Sequence, residues 1–333
     1  MTSAAFDVLG IGNAIVDVIS RADEAFLKKH SLVKGAMTLI DEARAESLYA
    51  AMGPGVEVSG GSCGNTIAGV ASFGGKGAYI GKVRNDQLGG VFGHDLRATG
   101  VTFDTAQATA GPATARCLIV VTPDAQRTMN TYLGACMGLG PNDIDVAQVG
   151  SAAVTYVEGY LWDQPEAKKA VLKAFDAAHA AGRKVSITLS DSFCVDRYRD
   201  EFLDLMKKRT VDVVFANEAE LHSLYQTSDF DTALKQLRED TKLGIVTRSE
   251  KGCVVVSGEG VIAVPAFPVE QIVDTTGAGD LFAAGFLFGL VRGAGYENAG
   301  RLGALAAAEV IQHIGARPQV SLKELAKKNG LPV

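Results

Sequence analysis

Apolar and polar positions along the chain follow two periods in turn. Residues 6–19 are an apolar run broken by Gly10 and Gly12, with Asp17 near its end, which reads as a buried strand, a turn and a second strand. Helical spacing takes over across 41–52 and stops at Gly53-Pro54-Gly55. Gly60-Gly61-Ser62-Cys63-Gly64-Asn65 then opens a helical stretch to Phe73, followed by an expected strand over 78–83 and a helix over 86–99. Between 102 and 134 the texture becomes Thr-rich, with strands predicted over 116–122 and 127–133 and a turn at Pro123-Asp124. From Pro141 the alternation resumes. Strands are predicted over 153–157, 184–189, 211–215, 244–247 and 253–256, separated by helical stretches such as 166–181 and 231–240. Helices over 277–291, 296–313 and 322–329 are expected to close the chain.

Strand, helix, strand at this spacing argues for an α/β fold: a three-layer core with a mostly parallel sheet covered on both faces. The Thr-rich interval lacks crossover helices and reads as a small β-rich lid. The expected division is a core from 1–15, 57–111 and 137–333, and a discontinuous lid domain from 16–56 and 112–136. Ligands of open parallel sheets sit at the carboxyl ends of the strands, so the cleft should lie between core and lid. No solenoid repeat or low-complexity linker interrupts the pattern.

Composition narrows the partners. The 333 residues carry 47% apolar and 21% charged positions, a globular balance that excludes a disordered, coiled-coil or collagen-like chain. A net charge of −6 gives no broad footprint for nucleic acid or an anionic membrane, which points to small-molecule partners. The start, residues 1–7, lacks a signal-peptide pattern, and the longest apolar stretch, 281–291, is too short to span a bilayer. A cytoplasmic protein, monomer or homodimer, is expected. Five scattered cysteines and five scattered histidines form neither a disulfide framework nor a zinc motif. Glycine is in excess, 38 residues or about 11% against a usual ~7%. With only 9 prolines, these glycines point to backbone geometry within the fold and not to a linker.

The most informative string is Asp274-Thr275-Thr276-Gly277-Ala278-Gly279-Asp280, running into an apolar helix. Small residues at a helix start leave backbone N–H groups unshielded where the dipole favours negative charge, so Gly277, Ala278 and Gly279 form an anion hole. A carboxylate beside that hole repels an anion it would merely hold. Asp280 makes sense as a general base that takes a proton from a hydroxyl while the hydroxyl attacks phosphorus. Elsewhere the readings stay double. Asp17 either holds vicinal hydroxyls of a sugar or caps a strand end, and Asn65 either adds an amide to that sugar or simply starts a helix. Asn217 and Glu220 suit an outer-shell Mg²⁺ and phosphate network, and equally form a capping box. Arg127 reaches the transferring phosphate or is a solvated lid residue. Tyr160 stacks on a base or belongs to the core, the second being favoured.

The string 274–280 resembles the C-terminal signature of the PfkB/ribokinase family of small-molecule kinases, D-T-x-G-A-G-D. The resemblance covers nearly the whole chain, in order: Gly60-Gly61 with Asn65 is similar to the family's substrate motif and Asn217-Glu218-Ala219-Glu220 to its Asn-x-x-Glu motif. Thr247 through Ser249 to Gly252 resembles its nucleotide loop, and Gly315-Ala316-Arg317-Pro318 its closing turn. Within the family, Gly10 to Asp17, the segment from Arg127 to Ala135, and Tyr156 to Tyr160 look most like adenosine kinases. Gly64 and the acidic Glu158 depart from that pattern.

The resemblance implies a ribokinase-like fold and ATP-dependent phosphorylation of the 5′-hydroxyl of adenosine, with Mg²⁺ and K⁺ as cofactors. It places Asn13, Asp17, Gly60, Gly61, Asn65, Arg127 and Tyr160 on the nucleoside. Asn217, Glu220, Thr247, Ser249, Gly252 and Thr275 fall on the nucleotide side. A kinase for free ribose is the runner-up, and an inactive nucleotide sensor the rival of another class. Gly10-x-Gly12 after a strand hints at dinucleotide binding, but Ile15 stands where the third glycine belongs, and no P-loop or protein-kinase signature occurs.

Overall fold

In the computed structural model, which describes residues 4–124 and 126–333, the turn after Ile11 passes the chain from one sheet to another. In order, the strands are β1 (Phe6–Ile11), β2 (Ile15–Arg21), β3 (Met37–Leu39), β4 (Gly55–Ser59), β5 (Gly77–Ile80), β6 (Thr102–Phe103) and β7 (Ala115–Val121). There follow β8 (Arg127–Tyr132), β9 (Ala152–Glu158), β10 (Lys184–Thr188), β11 (Val213–Asn217), β12 (Leu243–Thr247), β13 (Cys253–Ser257) and β14 (Gly260–Val264).

The large sheet has the order β14-β13-β12-β11-β10-β9-β1-β5-β6, parallel from β12 to β6 with β13 and β14 antiparallel at one edge. The expected strand, turn and strand of 6–19 are present, but β1 is central in this sheet while β2 belongs to the small one, order β3-β8-β7-β2-β4. Within the small sheet β2 runs parallel to β7, and β7 antiparallel to β8. Its strands come from 15–59 and 115–132.

Helices cover both faces of the large sheet. On one face lie Ser62–Ser72, Ala278–Val291 and Tyr296–Val310, and on the other Pro165–Ala180, Ser192–Lys207, Glu218–Tyr225 and Phe230–Asp240. The helix Ala278–Val291 is apolar on every side and buries all of 281–289, so its position is set by packing and not by an amphipathic stripe. Each Phe or Leu fully buried there stabilises the fold by about 1.5–3 kcal/mol. The helix expected over 296–313 ends earlier, at Val310, where the chain turns back toward the loop before Ala278. Ser192–Lys207 and β14 were not evident from periodicity, the first because charged residues outnumber its few buried apolar ones. No described helix is long and apolar enough to cross a membrane.

Candidate active site

The carboxyl ends of β9 to β12 and the start of the helix Ala278–Val291 open into a cleft of about 770 Å³. Its far wall is the small sheet, which contributes Ile15 and Asp17 from β2, Cys117 and Ile119 from β7, and Met129 and Thr131 from β8. Alternation along these strands turns one face to the cleft, while Val16, Val18 and Leu118 point to the core.

Gly277 caps the helix in a left-handed conformation, φ 80°, and with Ala278, Gly279 and Asp280 lines the cleft. The first turn of a helix leaves N–H groups without intrahelical partners, and here they face the cleft behind glycine. Ala278 departs from the expected trio in part, because its N–H already donates to the Thr275 carbonyl at 3.2 Å. Asp280 is held from two sides: Ser62 Oγ donates to one oxygen at 2.7 Å and Asn65 Nδ2 to the other at 3.0 Å. Burial raises its pKa, and the bonds from Asn65 and Ser62 and the charge of Arg317 oppose that rise. The Asn65 amide thus stands on the carboxylate of Asp280, and its own Oδ1 has no partner among the described residues.

Asp17 lines the same cleft, and burial pushes its carboxyl up to about 6 against the pull of Arg127 and Arg317. Gly60 packs directly under that carboxylate, and its N–H donates to Ile15 O at 2.7 Å. Gly61 has a φ of 81°, and a Cβ there would lie 2.3 Å from the carbonyl of Asn13, so this turn requires glycine.

Arg127 is not solvated: it is 8% exposed and ion-paired with Asp274, the first residue of the glycine string, which corrects the reading of it as a solvated lid residue. Its charge also acts on Asp17 in the cleft wall. Burial pushes Asp274 upward, but hydrogen bonds from Gly315 and Thr276, aided by the Arg127 charge, outweigh it and hold the carboxyl below its usual value.

On the nucleotide side, Asn217 and Glu220 line the cleft and complete a capping box. Asn217 Oδ1 accepts from the Glu220 N–H at 2.8 Å, and Glu220 Oε2 accepts from the Asn217 N–H at 3.0 Å. Burial lifts the Glu220 carboxyl to about 7. Their oxygen-rich donor set, with no Cys or His, suits a magnesium ion bound through water, although no described cluster of three His, Cys, Asp or Glu residues could cage a metal. Thr247 and Thr275 also line the cleft. Ser249 and Gly252 do not; they shape the turn after β12, where the Arg248 N–H donates to Gly252 O at 2.7 Å. Tyr160, favoured as core, is on the cleft wall with its hydroxyl 3.5 Å from Ser190 O.

Several residues at the site were given no role by the sequence. Ser62 grips Asp280, as above. Arg317 donates to Ser59 O at 2.6 Å and to Gly64 O at 3.0 Å, with its charge close to both Asp17 and Asp280. Met37 and Phe193 line the cleft while 54% and 77% exposed, a wide apolar opening on a polar site. The closing turn Gly315-Ala316-Arg317-Pro318 marked Arg317 as a position but not as a charge partner.

The chain matches the pfkB family carbohydrate kinase domain over residues 36–323. A crystal structure of a probable sugar kinase from Rhizobium etli CFN 42 is 56% identical and superposes with a TM-score of 0.92, covering 99% of this chain and 100% of that one. An adenosine kinase structure from Sinorhizobium meliloti is 57% identical with a TM-score of 0.90, covering 98% and 100%. Adenosine kinase of Saccharomyces cerevisiae is 27% identical, over 92% of this chain and 94% of the yeast protein.

Proposed function

This chain belongs to the pfkB carbohydrate kinase family, and from that premise we propose that it transfers the γ-phosphoryl group of ATP to the 5′-hydroxyl of adenosine, giving AMP and ADP. It is a phosphotransferase with an alcohol acceptor. The observation that carries the reading is Asp280, held by Ser62 and Asn65 beside the glycine-capped helix start, in one cleft with Asp17.

In this reading Asp17 accepts from the ribose 2′- and 3′-hydroxyls, since a carboxylate offers two acceptor oxygens to a vicinal diol. Met37 and Phe193 give a purine two apolar neighbours. Asp280 takes the 5′-hydroxyl proton as that oxygen bonds to the γ-phosphorus and the bond to the ADP oxygen breaks. A raised Asp280 pKa makes the carboxylate a stronger base than an exposed one. The unpartnered N–H groups of the first helical turn stabilise charge on the transferring group. Asn217 and Glu220 would hold the water shell of Mg²⁺, which neutralises nucleotide phosphate charge. Closing the small sheet over the cleft keeps water from accepting the phosphoryl group.

Adenosine is supported by the Sinorhizobium meliloti and yeast relatives. A free sugar such as ribose remains the second reading, supported by the Rhizobium etli probable sugar kinase, because Asp17 serves either diol. Turnover with ATP and Mg²⁺ over a panel of nucleosides and sugars decides between them. Adenosine should have the highest kcat/KM, and phosphorylation of ribose but of no nucleoside would overturn the reading.

A further inference from the structure

Glu158 ends β9 in the core, 1% exposed, and no step of the reaction above uses it. Its Oε1 accepts from the Asn13 N–H at 2.8 Å and from Asn13 Nδ2 at 2.7 Å, and its Oε2 accepts from the Cys63 N–H at 2.9 Å. Three donors converging on two oxygens describe an ionised carboxylate, which only accepts; a protonated acid would set an O–H among N–H groups. Space has been cleared for it, since a Cβ on Gly12 would lie 2.6 Å from Oε2.

The two donor residues belong to different working parts. Asn13 sits in the turn that joins β1 to β2, four residues before Asp17. The Cys63 N–H is in the first turn of Ser62–Ser72, where the N-cap is Gly61 and no side chain is present to satisfy it. Ser62 and Asn65, on either side of Cys63, are the two donors to Asp280.

We infer that Glu158 is a positioning residue for phosphoryl transfer: it clamps the Asn13 turn to the first turn of the helix Ser62–Ser72, and so sets Asp17 and the Ser62 and Asn65 donors in place around Asp280. The inference rests on the phosphoryl-transfer reading of Asp280 and not on adenosine as the acceptor. Burial pushes the Glu158 carboxyl up to about 7 and the Asn13 and Cys63 bonds pull it back, so the clamp is fully ionised only on the alkaline side of neutrality. The groups facing it are Asp280, Cys63, Cys136, Tyr79, Tyr156 and Tyr160.

The test is a double-mutant cycle on the full chain, assayed with ATP, Mg²⁺ and whichever acceptor the wild type phosphorylates best. Glu158→Gln keeps one acceptor oxygen and puts an amide N–H against either the Asn13 donors or the Cys63 N–H; kcat should fall about tenfold or more, with a shallower acid limb in its pH profile and the ATP KM unchanged. Asn13→Asp sets two carboxylates against each other and should be as damaging. The pair Asn13→Asp with Glu158→Gln restores one acid–amide contact and should recover at least tenfold over Asn13→Asp alone, which keeps the test open even if Glu158→Gln alone fails to fold. A folded Glu158→Gln enzyme with kcat within twofold of wild type, or additive effects with no recovery in the pair, would overturn the inference. A wild type inactive on adenosine but active on a sugar leaves this test in force and removes only the substrate reading.

Discussion

Arg127 of β8 and Asp274 at the head of the glycine loop form a buried ion pair that ties the small sheet to the loop carrying Asp280. Asp274 also accepts from the N–H groups of Thr276 and Gly315, so one carboxylate joins the small sheet, the loop and the turn after the helix Tyr296–Val310. The wall of the cleft and the floor that holds the general base are thereby positioned together.

Removing one member of a buried pair strands the other charge, at a loss on the order of 3–5 kcal/mol. Arg127→Met should therefore destabilise the fold by roughly that amount, and Arg127→Met with Asp274→Asn should lose clearly less than the sum of the single changes. Urea unfolding of the four proteins measures this. Additivity within about 0.5 kcal/mol would mean that the two residues are not energetically coupled.

Asp280→Asn keeps the shape of the side chain and removes the proton acceptor. Turnover should fall by about 10²–10⁴ with the melting temperature unchanged or higher, because a carboxylate disfavoured by burial has been neutralised. Near-normal kcat in a folded variant would remove Asp280 from the chemistry.

Phe193 separates nucleoside from sugar. If its ring packs on a purine, Phe193→Ala should raise KM for adenosine roughly three- to tenfold, the size of one aromatic contact, and leave kinetics on ribose untouched. Equal losses on both acceptors would mean that the ring supports the wall and not the base.

Stability and activity should respond to pH in opposite directions. Burial raises the carboxyls of Asp17 to about 6 and of Glu158 and Glu220 to about 7, from ordinary values of 3.8 and 4.5. Between the ordinary and raised values the folded chain binds more protons than the unfolded one, so unfolding free energy falls as pH rises through that window. Each tenfold gain in proton affinity is worth about 1.4 kcal/mol. Melting scans of the ligand-free protein should show a higher Tm at about pH 5.5 than at about pH 8, while kcat should gain with rising pH, because Asp280 must be ionised to accept a proton and burial raises its pKa. A Tm that climbs from acid to neutral pH would contradict the burial of these carboxylates.

Much of the architecture was legible in local pattern. The strand and helix alternation of 141–256 appears within a few residues of its expected bounds, and the glycine string does start a helix, because both depend on neighbours a few positions apart. The Asn217–Glu220 capping box is likewise a three-residue relationship, visible as spacing before it is visible as hydrogen bonds. The burial of Arg127 was not legible for the complementary reason. Its partner is 147 residues away, and nothing near it in the chain distinguishes a buried arginine from a solvated one.

Periodicity and small motifs are short-range, so they set which segments become strands, where the anion-binding helix begins and that a carboxylate follows it. Partnership across the cleft depends on sheet order. Placing β1 between β9 and β5 and sending β2 into the second sheet brings Glu158 to Asn13 and Cys63, and packing the helices Ser62–Ser72 and Ala278–Val291 on the same face brings Ser62 to Asp280 across 218 residues. The charge balance among Asp17, Asp280 and Arg317 follows from that packing, because burial is what shifts these groups, and burial is a property of the folded chain.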